Sequence, residues 1–161
     1  MVSAMSVTVR TAEARDLPAI AALAGMLVRQ HHGFDAERFF LIPNVESGYA
    51  AFFGRELKLP ETILLAAELD QRIVGYAYAR LEARDWNSLL DACGALHDLF
   101  VSESARRRGV ARQLLESVRE RLRARGAPRL VLHTAARNAP ARAFFAAQGF
   151  RETMIELTSE L

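Results

Sequence analysis

One contiguous stretch constrains this chain most: Val101-Ser102-Glu103-Ser104-Ala105-Arg106-Arg107-Arg108-Gly109-Val110-Ala111-Arg112. It reads as the end of a strand, a polar loop, and a glycine at the mouth of a helix. Upstream, Ala95 to Val101 has strand character. Downstream, Val110, Leu114, Val118 and Leu122 form an i+4 row flanked by Ala111 and Leu115. Arg112, Arg119, Glu120 and Arg123 fill the other face. That spacing predicts an amphipathic helix from about Gly109 to Arg125. Gly126 suits the position just past its end, and Pro128 cannot continue it. Leu130 to His133 then reads as a buried strand. Strand, helix, strand is a βαβ unit, so its two strands should be parallel.

The junction has a chemistry of its own. The first N–H groups of a helix lack partners within it, and its N-terminus carries roughly half a positive charge. A loop that aims those groups at one point makes an anion site, and a pyrophosphate fits it. Gly109 lets phosphates approach the backbone with no Cβ in the way. Arg106 and Arg108 can add charge-assisted hydrogen bonds. Three arginines alone would equally make a solvated basic turn; their place at a strand-to-helix junction favours a phosphorylated nucleotide or CoA.

The rest of the chain fits around this unit. Val7 to Arg10 alternates like a short strand. Asp16 is placed as an N-cap with Pro18 in the first turn, before helical spacing from Leu17 to Val28. A second helical region, interrupted near Pro43, carries Tyr49, Phe52, Phe53 and Leu57. Thr62–Leu69 and Ile73–Leu81 read as a hairpin about Asp70-Gln71. Arg84 to Cys93 reads as a loop, and Ala139 to Gln148 as a short helix before Gly149. Phe150 to Leu157 is expected as a closing strand. The order is mixed α/β over one domain spanning 1–161.

Composition excludes several classes. The 161 residues are 51% hydrophobic and 25% charged, with a net charge of +2. A nearly balanced chain with one arginine cluster argues against a nucleic-acid groove. Cys93 is the one cysteine, so no internal disulfide and no cysteine-rich metal site is expected. No apolar run approaches the ~20 residues needed to span a bilayer. Met1 to Met5 lacks the charged end and apolar core of a signal peptide, and Met5 is an alternative start. A cytoplasmic protein without metal is the expectation.

Arg106-x-x-Gly109-x-Ala111 resembles the [Gln/Arg]-x-x-Gly-x-[Gly/Ala] signature of the GNAT N-acetyltransferases. Asp98-Leu99-Phe100-Val101 is similar to that family's fourth strand, and Asn138-x-x-Ala141-x-x-Phe144-Phe145-x-x-x-Gly149-Phe150 to its second conserved segment. The resemblance covers Leu96 to Leu157 in detail. It implies a mostly antiparallel sheet with a splayed parallel pair, strands four and five, and about four flanking helices. It implies acetyl-CoA as cosubstrate and direct attack by an amine. Backbone groups of Leu99, Phe100 and Val101 would bind pantetheine, and N–H groups from Arg107, Arg108, Gly109, Val110, Ala111 and Arg112 the pyrophosphate. Asn138 would contact pantetheine, and Ala141 and Phe145 would flank the thiol. A homodimer is a further expectation by resemblance.

Phe145 departs from the pattern. The family often has Tyr there, able to protonate the leaving thiolate, whereas Phe has no proton to give. An acyl-CoA-binding sensor with little catalysis is therefore the alternative. His97 and Asp98 are the candidate bases, and strand alternation would point them to opposite faces. Each also fits a structural role, as does His133. Phe39, Tyr49, Phe52, Tyr76 and Tyr78 are possible acceptor walls. Glu46, Glu82, Asp85 and Asp91 are possible attractors of a cationic amine.

Overall fold

A computed structural model describes residues 6–161. Met1 to Met5, and with them the reading of the start, lie outside the described residues. The elements are β1 (Thr8–Thr11), α1 (Leu17–Phe34), α2 (Val45–Glu56), β2 (Thr62–Leu69), β3 (Arg72–Glu82), β4 (Cys93–Val101), α3 (Val110–Ala124), β5 (Leu130–Leu132) and α4 (Ala139–Ala147). Short 3-10 turns stand at Ala14–Asp16 and Glu103–Ala105. The sheet order is β1-β2-β3-β4-β5. Every pairing is antiparallel except β4 with β5, which is parallel.

Each face of the sheet is covered because the strands alternate apolar side chains on both sides. On one face, Ile63, Leu65, Ala77, Ala79, Leu96 and Val101 pack against Val110, Leu114, Val118 and Leu122 of α3, which are all buried. On the other, Leu64, Tyr76, Tyr78 and Phe100 meet Ile20 and Leu23 of α1 and Phe53 of α2. Burying one such side chain is worth about 1.5–3 kcal/mol, so α3 is fixed by its i+4 row. Gly94 lets that helix settle close: a Cβ there would lie 2.6 Å from Leu122 Cδ1.

Local chemistry sets the turns. Asp70 (φ 49°) and Gln71 (φ 61°) make a two-residue connection with both φ positive, which suits the twist of the hairpin. Between Arg84 and Cys93, the Asp85 carboxylate accepts the N–H groups of Asn87 and Ser88, and Asp85 and Leu90 exchange backbone hydrogen bonds. Asp16 precedes α1 without capping it by its side chain. Its carboxylate takes the N–H of Glu13 and the Arg10 guanidinium at 2.7 and 2.9 Å.

Four expectations need correction. Phe150 to Leu157 forms no strand; it pairs with no other strand, and Met154, Ile155 and Leu157 are exposed. Cys93 is the buried first residue of β4, not a loop residue. The Leu130–His133 strand is shorter, ending at Leu132, and only half-buried. The fourth correction, at His97 and Asp98, bears on the site.

Candidate active site

The opening between β4 and β5 follows from pairing. The two strands meet at Gly94–Leu130, Ala95–Val131 and Leu96–Leu132 and nowhere beyond. β4 continues to Val101 with β3 alone at its side. From His97 onward, its other edge is therefore open to an added extended chain. A narrow cleft of about 80 Å³ lies there, lined by Leu27, His31, Leu96, His97, Leu99, Leu132, His133, Thr134, Asn138, Ala141 and Phe145. Five sequence candidates thus meet at one place: His97, Leu99, Asn138, Ala141 and Phe145. Leu27, His31 and Thr134 were not among them. α1 is remote in sequence, and no local signal marks His31.

At the far end of β4 the chain enters α3. Arg107 (φ 63°) and Gly109 (φ 76°) both take left-handed backbone. Space over Gly109 is open: no atom lies within 4 Å of where a Cβ would stand. Gly109 is the N-cap and no side chain caps the helix. The opening N–H groups of a 15-residue helix are thus left to an outside acceptor. Val110 is buried in the core, so only its backbone can serve a ligand. Ala111 is half-buried and Arg112 exposed.

The arginines divide. Arg106 Nε donates to Val101 O at 3.3 Å, and its guanidinium lies 5.9 Å from the Phe100 ring centroid. Arg108 lines a separate groove with Asp70, Arg72 and Ser104, beside the β2–β3 turn. Phe100 and Val101 bury their side chains on opposite faces of the sheet, so both offer backbone alone to the cleft. Asn138 Oδ1 accepts the Ala141 N–H at 3.2 Å and caps α4.

At the reacting end, a β-bulge between Tyr78 and Ala79 alters the face rule. Tyr78 pairs with Asp98 and Ala79 with Leu96, leaving His97 as the extra residue. A bulge breaks strict alternation. His97 stacks on the Tyr78 ring at 5.3 Å, and Asp98 accepts the Tyr76 hydroxyl at 2.9 Å. Tyr76 and Tyr78 lie on one face. The two candidate bases therefore share a side instead of pointing apart. His97 lines the cleft, and Asp98 sits beneath it.

Electrostatics separate their roles. Burial pushes the Asp98 carboxyl above the usual carboxylate range, while the Tyr76 hydroxyl, His97 and His31 oppose that shift. Tyr49 is pushed up to about 12 by burial and then by the Asp98 charge. His97 Nε2 lies 2.9 Å from Glu82 Oε1. A carboxylate only accepts, so Nε2–H is the donor and Nδ1 keeps its lone pair. Glu82 is thus the orienter of His97, a partnership the linear sequence does not reveal.

Other acidic candidates are engaged. Glu46 pairs with Arg29, Asp91 with Arg84, and Asp85 organises its own loop. Among the aromatic candidates, Tyr76 and Tyr78 are buried and Phe52 packs edge-on to Tyr78. Phe39 leans edge-on against His31. His133 is exposed at the end of β5. Among the described residues, no group of three or more His, Cys, Asp or Glu is arranged to hold a metal ion.

Comparison with solved structures gives the same architecture. The aminoglycoside N-acetyltransferase AAC(6')-Iy, in complex with CoA, superposes with a TM-score of 0.82 at 21% identity, over 100% of this chain and 98% of that one. A tetramutant protein from Bacillus halodurans gives 0.84 at 18%, covering 96% and 99%. Glucosamine-6-phosphate N-acetyltransferase from Arabidopsis thaliana gives 0.71 at 13%, covering 96% and 98%. No curated protein matches by sequence. The model of the acetyltransferase (GNAT) family matches residues 27–150, which takes in the end of α1, the parted β4–β5 pair, the loop into α3 and α4, and this chain belongs to that family.

Proposed function

We propose that the chain transfers an acetyl group from acetyl-CoA to an amine by direct attack, with no acyl-enzyme. The observation that carries this reading is the parted β4–β5 pair, whose cleft leads toward the uncapped start of α3. The residues fit the cosubstrate: an open strand edge, space over Gly109, and unpaired helix N–H groups in sequence along one path. The structure of AAC(6')-Iy with a bisubstrate analogue, CoA-S-monomethyl-acetylneamine, matches with a TM-score of 0.76 at 20% identity, which supports the donor and an amine acceptor.

In this reading the backbone of Leu99, Phe100 and Val101 binds the pantetheine arm as an added strand. N–H groups from Arg107 to Arg112 hold the pyrophosphate. Asn138 keeps its amide nitrogen for pantetheine while its oxygen caps α4. Ala141 and Phe145 shape the walls around the sulfur. His97, held by Glu82 and stacked on Tyr78, takes the amine proton on Nδ1. Asp98 stabilises the imidazolium that results. Cys93 takes no part: it is buried, and burial pushes its thiol up, away from the thiolate form.

The acceptor in this reading is a small-molecule or peptide amine, without nucleic acid or membrane. Residues 1–161 act as one cytoplasmic unit; among the described residues no helix is long and apolar enough to cross a membrane. Homodimer assembly has support in the exposed apolar tail of Met154, Ile155 and Leu157. The second reading, an acyl-CoA sensor, draws on Phe145. Release of free thiol from acetyl-CoA, measured across aminoglycosides, amino sugars, polyamines, amino acids and peptides, decides between them. Turnover on any amine supports the enzyme; CoA binding with no turnover supports the sensor.

A further inference from the structure

Phe145 leaves the cleft wall without a hydroxyl for the departing thiolate, and His97, hydrogen-bonded to Glu82, is assigned above to the amine. A second imidazole opens on the same cleft. His31 lies in the last turn of α1 and lines the cleft together with Leu99, Ala141 and Phe145. Its Nδ1 stands 2.9 Å from Leu27 O. A carbonyl only accepts, so Nδ1 carries a proton and Nε2 is the free position. Phe34 and Phe39 hold the ring edge-on, at 5.8 and 5.1 Å. The ring is thus fixed by three neighbours, with one nitrogen uncommitted.

We propose that His31 is the proton donor to the departing CoA sulfur, serving where the family's tyrosine is absent. This rests on the acyl-transfer reading above. As the amine nitrogen bonds to the acetyl carbon, the C–S bond breaks and its electron pair goes to sulfur. Nε2–H of the His31 imidazolium gives sulfur its proton, and His97 Nδ1 takes one from the amine. Solvent then returns a proton to His31 and removes one from His97, so the cycle closes with no redox partner. The titratable groups near His31 are His97 on β4 and His133 after β5, which share its cleft, and Asp98 on β4, which feels its charge, with His32 beside it on α1. Asp98 is the acidic group among them, and the His31 charge is one of the influences that oppose the upward shift of its carboxyl.

The test is His31→Asn, whose side-chain nitrogen can still donate to Leu27 O but holds no titrating proton. With an accepted amine, kcat should fall roughly 100-fold at unchanged acetyl-CoA KM, and the alkaline limb of its pH profile should disappear. Phe145→Tyr in that background should recover at least part of the loss. A binding readout needs no turnover: the ultraviolet absorbance of bound CoA thiolate should titrate at lower pH in the unaltered protein than in His31→Asn. On the unaltered protein alone, CoA should shift the His31 imidazole NMR signals and link them to the thiol titration. A folded variant turning over at the parental rate would overturn the proposal, as would a bound thiol that titrates without affecting His31. Failure of the parent to turn over any amine would instead count against acyl transfer, and the thiol titration would still test His31.

Discussion

The two ends of the cleft are built in different ways. At the end we assign to the phosphates, the groups proposed to face the ligand are backbone amides of consecutive residues, Arg107 to Arg112, set out by one strand-to-helix turn. At the reacting end, they are side chains from three separated elements: His31 on α1, Glu82 on β3, and His97 and Asp98 on β4. Backbone geometry is dictated by short-range sequence, through glycine and helix periodicity. A side-chain constellation depends on how distant elements pack. In the proposed reading the first end is therefore a generic holder of a diphosphate, and the second is where this chain can differ from others of its fold.

If that division is right, damage at each end should appear in different kinetic constants. The largest effect belongs to the reacting end. His97→Gln should lower kcat by roughly 10²–10⁴-fold with acetyl-CoA affinity almost unchanged, because a general base acts in the transition state. Steady-state kinetics with calorimetric CoA binding measures both. A matched loss of CoA affinity would show that the two ends are not separate.

Gly109→Glu should do the reverse. It sets a side chain and a negative charge over open space above the helix start, and CoA should bind about 100-fold more weakly, about 2.8 kcal/mol. Part of the effect is strain, since a left-handed φ costs a non-glycine residue about 1–2 kcal/mol. Gly109→Ala carries the strain without the charge and separates the two contributions. Normal CoA binding by folded Gly109→Glu would remove the phosphates from this turn.

A smaller effect tests whether the phosphate end really works through its backbone. Arg106 spends its Nε–H on Val101 O and lies over Phe100. Arg106→Ala should weaken CoA only about 3–10-fold, the scale of one modest hydrogen bond. A loss as large as that of Gly109→Glu would mean that Arg106 swings onto the phosphates and that side chains carry this end as well.

The same contrast explains what can be read from the chain alone. The i+4 row of α3, the glycines closing helices and the Asp70-Gln71 turn are local signals, and each element they mark is present. Pairing is not local. Phe150 to Leu157 has strand-like composition, yet a strand exists only where another offers its edge, and the neighbouring β5 is three residues long. Alternation through β4 puts His97 and Asp98 on opposite faces. The bulge opposite Tyr78 and Ala79 cancels that rule, and only the partner strand reveals it. For the same reason, Asn138 and Phe145 were legible as residues of the cleft wall, whereas the place of His31 there and the Glu82–His97 contact emerge from packing.

The smallest expected effect concerns stability and separates the ends energetically. Burial holds the Asp98 carboxyl above its ordinary pKa, so the fold prefers it neutral. The stability this group contributes is complete below the unfolded value of ~3.9. It is lost as pH rises through the raised folded value. Above that folded value the protein carries an ionised carboxylate at a stability cost that Asp98→Asn removes, and the amide oxygen can still accept the Tyr76 hydroxyl. The variant should melt no lower than the parent at neutral pH, and its advantage should shrink as the buffer is made more acidic than Asp98's folded pKa. Its kcat should nevertheless fall, since the imidazolium of His97 loses its anion. Thermal melts at several pH values beside initial rates read both quantities. A variant less stable at neutral pH, with kcat intact, would make Asp98 a scaffold residue and leave the reacting end to the two histidines and Glu82.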